Sequence, residues 1–353
     1  MPDESPSPVV LRPEPGLVTA SLGFVAEAAR AAADDLPAAA VELARTWGSR
    51  LPLPGRGATT ELWEALATVA ATDLSVARIM EPHVDALAIL AESGAPAPDE
   101  DTSWGVYAAE GPGARLEARE HGEGWRLAGL KPWCSLAGDL THALVTAWVD
   151  DSHRGLFAVD LRHPGVEPLE GTWHARGLRE VRSGPVRFTD VPAGAVGAPG
   201  WYLQRDGFAW GGMGVAAIWY GGAVGVARRL LQAARERTPD QVALMHLGTV
   251  DAALAAARSA LVEAALRVDE GAAGGQTGAL LALRLRHVVA DAAERVLTAV
   301  DHGLGPGPLS LEPVHAGRVA DLRLYLRQHH AERDAAALGA RLVEDLPAEG
   351  SPW

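Results

Sequence analysis

The stretch Gly124-Trp-Arg-Leu-Ala-Gly-Leu-Lys-Pro-Trp-Cys-Ser-Leu-Ala-Gly138 decides how the chain is read. From Trp125 to Trp133 it has the period of a strand, and His121-Gly-Glu-Gly124 before it supplies the glycines of a hairpin turn. Around it, Trp104 to Ala109, Ala114 to Glu120, Ala143 to Val149, Gly155 to Leu161 and Val186 to Val191 read as further short strands. Short strands packed this densely predict a small antiparallel barrel or sandwich.

Helical periodicity flanks these strands on both sides. Between about Gly16 and Gly94, Phe24 to Trp47 is alanine-rich with apolar residues at three- and four-residue steps. Thr59 to Thr72 and Leu74 to Glu92 continue that pattern, with Asp73 placed as an N-cap. After the strands, helices are expected over Gly207 to Arg237, Gln241 to Glu270, Gly274 to His302 and Glu312 to Leu342, and short loops between four such helices predict an antiparallel four-helix bundle. The fold class is α+β in three domains: a helical 1–102, a β domain 103–203 and a bundle 204–353.

Thirty-one basic residues against 45 acidic ones leave a net charge of −14, and no basic run is interleaved with aromatics. Nucleic acid and anionic membranes are therefore not expected as partners. Cys134 is the single cysteine, which excludes a disulfide framework and a cysteine-rich metal site. The N-terminus, Met1-Pro-Asp-Glu-Ser-Pro-Ser-Pro8, lacks the charged-then-apolar order of a signal peptide, so a cytoplasmic location is expected. Gly207 to Ala227 is 21 residues without a charge, long enough to span a bilayer. Seven of those residues are glycine, however, which suits a closely packed buried helix better than a lone span.

The Gly124–Gly138 stretch resembles the acyl-CoA dehydrogenase signature "G-x-K-x-W-I-T-N-A", with Gly129, Lys131, Trp133, Ser135 and Ala137 in register. Gly177-Leu-Arg179, Val186-Arg-Phe-Thr-Asp-Val-Pro192 and the glycine-rich helix with Gly221-Gly-Ala-Val-Gly-Val-Ala227 are similar to later segments of that family. The resemblance covers about Thr59 to the C-terminus. It implies an acyl-CoA dehydrogenase-like fold, an FAD cofactor, a homodimer or homotetramer, and a small-molecule substrate such as an acyl-CoA. Trp133 then lies against the flavin and Ser135 donates to it near N5 or O4, an apolar face and a fixed polar donor being what an isoalloxazine needs. Ala109-Glu-Gly-Pro-Gly-Ala-Arg115 stands where the family has "T-E-P-G-x-G-S-D", so Glu110 and Gly113 are carried over as cofactor contacts while the hydroxyls are missing.

Other positions depart from the family. Its catalytic carboxylate and neighbouring arginine fall on Val215 and Ala216, and the "Y-E-G-T" and "R-x-x-F-G" segments are absent. A base is then sought in Tyr325 to Asp334, where Glu332, His330 and Asp334 are the candidate catalytic residues. On a helix His330 and Asp334 share a face, as do His329 and Glu332; the plainer reading is a solvated, salt-bridged face with Arg327 and Arg333. No metal site is expected from two ligands on one helix. His83, after Pro82, is a further candidate or a satisfied core histidine, and Trp210, Trp219 and Tyr220 line an apolar pocket or fill the core. Three functions follow: an FAD-dependent oxidoreductase of an acyl thioester or related apolar substrate, a flavin-dependent monooxygenase using the His329-His330 segment, or a non-catalytic paralogue that has lost flavin.

Overall fold

The computed structural model describes residues 7–12, 18–122 and 124–345; Gly16, the first six residues and Glu123 of the expected hairpin turn lie outside them. Four helices open the chain, α1 (Val18–Ala32), α2 (Ala38–Gly48), α3 (Thr59–Thr72) and α4 (Leu74–Glu92). Seven strands follow: β1 (Trp104–Tyr107), β2 (Leu116–His121), β3 (Gly124–Lys131), β4 (His142–Trp148), β5 (Arg154–Asp160), β6 (Val166–Pro168) and β7 (Val186–Ala195). The rest is helical, with α5 (Trp201–Gln204), α6 (Asp206–Glu236), α7 (Gln241–Asp269), α8 (Gly275–Leu304), α9 (Pro306–Leu311), α10 (Pro313–Tyr325), a single tight turn at Leu326–Gln328 and α11 (Glu332–Asp345). Among the described residues no helix is long and apolar enough to cross a membrane.

The chain clusters into two compact units that do not follow the three sequence blocks. One comprises Met1–Glu27, Leu53–Leu74 and Ala209–Trp353; the other comprises Ala28–Pro52 and Ser75–Phe208. In the first unit, α6 lies against α3 through glycine. A Cβ on Gly221 would overlap the Ala67 carbonyl oxygen, and one on Gly225 would stand 2.8 Å from the Ala71 oxygen. Glycines four apart meet alanines four apart, so the two backbones approach more closely than side chains allow. The N-terminus of α3, whose cap position is Ala58, is closed by Asp269 of α7: its carboxylate accepts from Gly57 N, Thr59 N and Thr59 Oγ1 at 3.0, 2.9 and 2.6 Å. The extended segment 7–12 is tied down by Thr68 Oγ1, which accepts from Val9 N, and by buried Glu64, which accepts from Leu11 N and the Arg12 guanidinium.

In the second unit the sheet corrects the antiparallel expectation. β4 inserts between β1 and β2 and runs parallel to both, while the β2–β3, β3–β7, β7–β5 and β5–β4 pairings are antiparallel. Alternation reveals a strand but not its partner, and the bridged turn Gly111–Ala114 separates β1 from β2 without pairing them. The expected long helix over Glu312 to Leu342 is also corrected. Proline opens α10, and the backbone leaves the helix at His329, so the segment is two helices, α10 and α11, joined by a tight turn. Phe24 to Trp47 likewise divides, because the chain breaks before Pro37. The core of this unit joins Ala86, Ile89 and Leu90 of α4 to Trp104, Leu144, Leu156, Val196 and Tyr202.

Candidate functional site

Two groups of side chains, one in each unit, bring together most of the candidate residues. The first surrounds the end of β3. Lys131, wholly buried, donates from Nζ to Glu110 Oε1 at 2.6 Å and to Thr146 Oγ1 at 2.8 Å, and Arg154 reaches the same Glu110 oxygen at 3.2 Å. Burial draws the Lys131 ammonium below the usual lysine range, against the pull of Glu110. Burial also pushes the Glu110 carboxyl up, but its bonds and proximity to Lys131 and Arg154 outweigh that and hold it below its ordinary value. A buried ammonium is tolerated only when paired. Glu110 Oε1 is thus committed to two cations.

Beyond Lys131 the strand stops at Pro132, which has no N–H for the ladder. Trp133 and Leu136 adopt left-handed backbone, with φ of 59° and 56°. The strand expected from Trp125 to Trp133 is corrected accordingly: it ends at Lys131, and Trp133 and Ser135 sit in the turn beyond it. The strain of that turn, on the order of 1–2 kcal/mol for each such residue, is offset by stitching to the 182–184 segment. Cys134 N–H donates to Gly184 O at 2.9 Å and Leu136 N–H to Arg182 O at 2.7 Å. Cys134 itself is buried, its Sγ 3.4 Å from Lys131 O, and burial pushes its thiol far above the usual range.

The turn lifts Trp133 outward, 58% exposed, while Ser135 is 8% exposed. Ser135 is held at three points: its carbonyl accepts from Tyr107 Oη at 2.9 Å, its Oγ accepts from Arg78 Nη2 at 3.2 Å, and its Oγ lies 2.8 Å from Ser183 Oγ. Gly113 lies in an open turn at φ 75°, where a Cβ would meet nothing within 4 Å, so it forms no tight cradle. An exposed indole beside a rigidly held hydroxyl fits the ring of a flavin. The Glu110 carboxylate, an acceptor engaged by Lys131 and Arg154, offers no side-chain donor to a phosphate.

His83 resolves as a core histidine. Its Nδ1 accepts from Trp104 N at 3.2 Å, its ring fills the space left by Gly48, and burial holds it down at about 4.

The second group centres on His329. It is buried, edge-on to Trp219 at 6.3 Å and tilted against His287 at 5.5 Å, and its Nε2, which forms no hydrogen bond, lies 3.9 Å from Asp334 Oδ2. Burial holds the imidazole below its usual value, against Asp334 and with Arg286, His287 and Arg327, so it stands neutral. Arg286 lies 4.6 Å over the Trp219 ring and donates to Gly212 O and to Gln328 O, pinning the turn that precedes His329.

Here the helical pairing is corrected, because α11 begins only at Glu332. His330 and Asp334 do meet, but across the start of α11: Asp334 Oδ2 accepts from His330 N at 3.1 Å and Oδ1 lies 3.3 Å from His330 Nδ1. His329 and Glu332 share no helix face, and Glu332 is exposed. Val215 and Ala216 are buried in α6 and bring no carboxylate. Among the described residues no three His, Cys, Asp or Glu side chains are grouped to hold a metal. Arg78, Ser183, His287 and Arg286 went unread in the sequence, since each joins its partner over a separation of more than 40 residues and no local spacing marks it.

No family model matches the sequence, and no curated protein matches it. Solved structures do match along nearly the whole chain. TdsC from Paenibacillus sp. A11-2, a dibenzothiophene monooxygenase solved with FMN and indole, is 18% identical over 94% of this chain and 98% of its own, with a TM-score of 0.79. Butyryl-CoA dehydrogenase from Megasphaera elsdenii is 17% identical over 94% and 99%, at 0.77. KijD3, solved with FMN and a dTDP-linked amino keto sugar, is 17% identical over 95% and 93%, at 0.74. At such identities the likeness speaks for the fold, and the fold this chain shares with them is that of the acyl-CoA dehydrogenases.

Proposed function

We propose that the chain is a flavin-dependent monooxygenase acting on a small apolar substrate. The observation that carries this reading is His329, a buried neutral imidazole with a free ring nitrogen. The carboxylates that an acyl-CoA dehydrogenation would need are by contrast out of play, with Val215 apolar, Glu332 exposed and Asp334 engaged by the His330 amide. A neutral imidazole can accept or deliver a proton near neutral pH. The flavin supplies the redox chemistry when bound. Trp133 would cover its ring and Ser135 would contact its polar edge, while the buried Lys131–Glu110 pair fixes the end of the strand that carries them.

We favour FMN over the FAD implied by the sequence. The segments that would contact a diphosphate lack hydroxyls or are missing, and TdsC and KijD3 were both solved with FMN. A homodimer or homotetramer belongs to the same reading and is measured by sedimentation. The test is to purify the protein with and without added FMN and FAD, identify the retained flavin, and follow the reduced protein as oxygen is admitted with and without an aromatic heterocycle such as indole. Oxygenated product supports the reading. Anaerobic bleaching of the flavin by an acyl-CoA would establish the dehydrogenase instead, and failure to take up either flavin would leave a non-catalytic scaffold.

A further inference from the structure

Ser135 has one hydroxyl proton, and the surrounding bonds determine where it goes. Ser183 Oγ donates to Val181 O at 2.9 Å, a carbonyl that can only accept. With its proton spent there, Ser183 must accept across the 2.8 Å contact, so Ser135 is the donor in that pair. On the other side of Ser135, Arg78 Nη2 at 3.2 Å can only donate. One assignment satisfies all three contacts: Arg78 to Ser135, Ser135 to Ser183, Ser183 to Val181. Ser135 is left with a lone pair and no proton to offer.

We propose that Arg78 and Ser183 are positioning residues that turn Ser135 into a hydrogen-bond acceptor, so that its contact with flavin selects the reduced cofactor. This rests on the reading of Ser135 as a flavin contact, and it reverses the donor role that the sequence suggested. In an oxidised flavin N5 carries a lone pair and asks for a donor; in the reduced flavin N5 carries a hydrogen and asks for an acceptor. A serine whose proton is committed elsewhere meets the second demand and leaves the first unmet, at the cost of an unpaired acceptor.

Affinities for oxidised and reduced FMN, measured anaerobically by ultrafiltration on wild type, Ser135→Ala and Ser183→Ala, test the assignment. Ser135→Ala should weaken the reduced form by about three- to tenfold, the size of one neutral hydrogen bond, and leave the oxidised form nearly unchanged. Ser183→Ala frees the Ser135 proton and should move the ratio further toward the oxidised form than Ser135→Ala does. If Ser183 only braces the loop, both forms weaken together in Ser183→Ala, and that result overturns the proposal. Loss of oxidised-form affinity in Ser135→Ala overturns it too, and this comparison decides the matter even where Ser183→Ala fails to fold. Wild-type protein that binds neither form overturns the flavin reading itself and this assignment with it.

Discussion

At the scale of single residues, His83 and His329 show how burial divides one side chain into two uses. Both imidazoles are buried and held below their ordinary pKa. His83 spends Nδ1 on the Trp104 amide, which leaves it a structural acceptor. Its folded value of about 4 lies below the unfolded 6.5, so between those values the unfolded chain binds the extra proton and stability falls as pH falls. The full loss is on the order of 3 kcal/mol. His83→Asn keeps an acceptor for Trp104 and should flatten that part of the slope, measured as urea midpoints at pH 7, 5.5 and 4. His329 leaves Nε2 unbonded. His329→Phe keeps the ring volume and removes the nitrogen, so turnover should drop by about a hundredfold or more with FMN affinity unchanged. Unchanged turnover would remove His329 from the chemistry.

At the scale of elements, the glycine-rich helix α6 is explained by its neighbour. Substituting alanine for glycine in a helix ordinarily gains about 1 kcal/mol. At Gly221 the sign reverses, because the new methyl would overlap the Ala67 carbonyl of α3. Gly221→Ala should destabilise the protein by about 1–3 kcal/mol, whereas Gly248→Ala, where a Cβ meets nothing within 4 Å, should be neutral or stabilising. Chemical denaturation of the two variants side by side gives the comparison. The turn after β3 is a second case in which an element's neighbour decides its form. Trp133 and Leu136 hold unfavourable backbone angles only because the amides of Cys134 and Leu136 are bonded to the 182–184 segment.

For the whole molecule, local periodicity carried the reading a long way. α3 and α4 fall on the expected residues, and α6 and α7 start and stop within a residue or two of expectation, since long amphipathic runs and glycine breaks are local signals. Every strand but the three-residue β6 was legible too, but the insertion of β4 between β1 and β2 was not, because partner choice is a long-range property. Register with a known signature singled out Trp133 and Ser135. Arg78, Ser183 and Arg286, which hold the candidate side chains, are joined to them only by folding. The division into two units, with α3 grouped with the C-terminal helices, was likewise invisible along the chain. A cofactor bound only by the folded chain stabilises all of it: FMN at a hundredfold excess over its dissociation constant should add about 2.7 kcal/mol, seen as a rise of several degrees in Tm. An unchanged Tm across an FMN titration would contradict binding.

The packing of Cys134 beneath the Trp133 turn gives the protein a built-in reporter. The only thiol in the chain is sealed from water and kept protonated, so an alkylating reagent can reach it only while the 132–137 segment is lifted off its 182–184 support. The rate of alkylation therefore reads how often this turn opens, and slower alkylation with flavin present would show that the ligand clamps it shut.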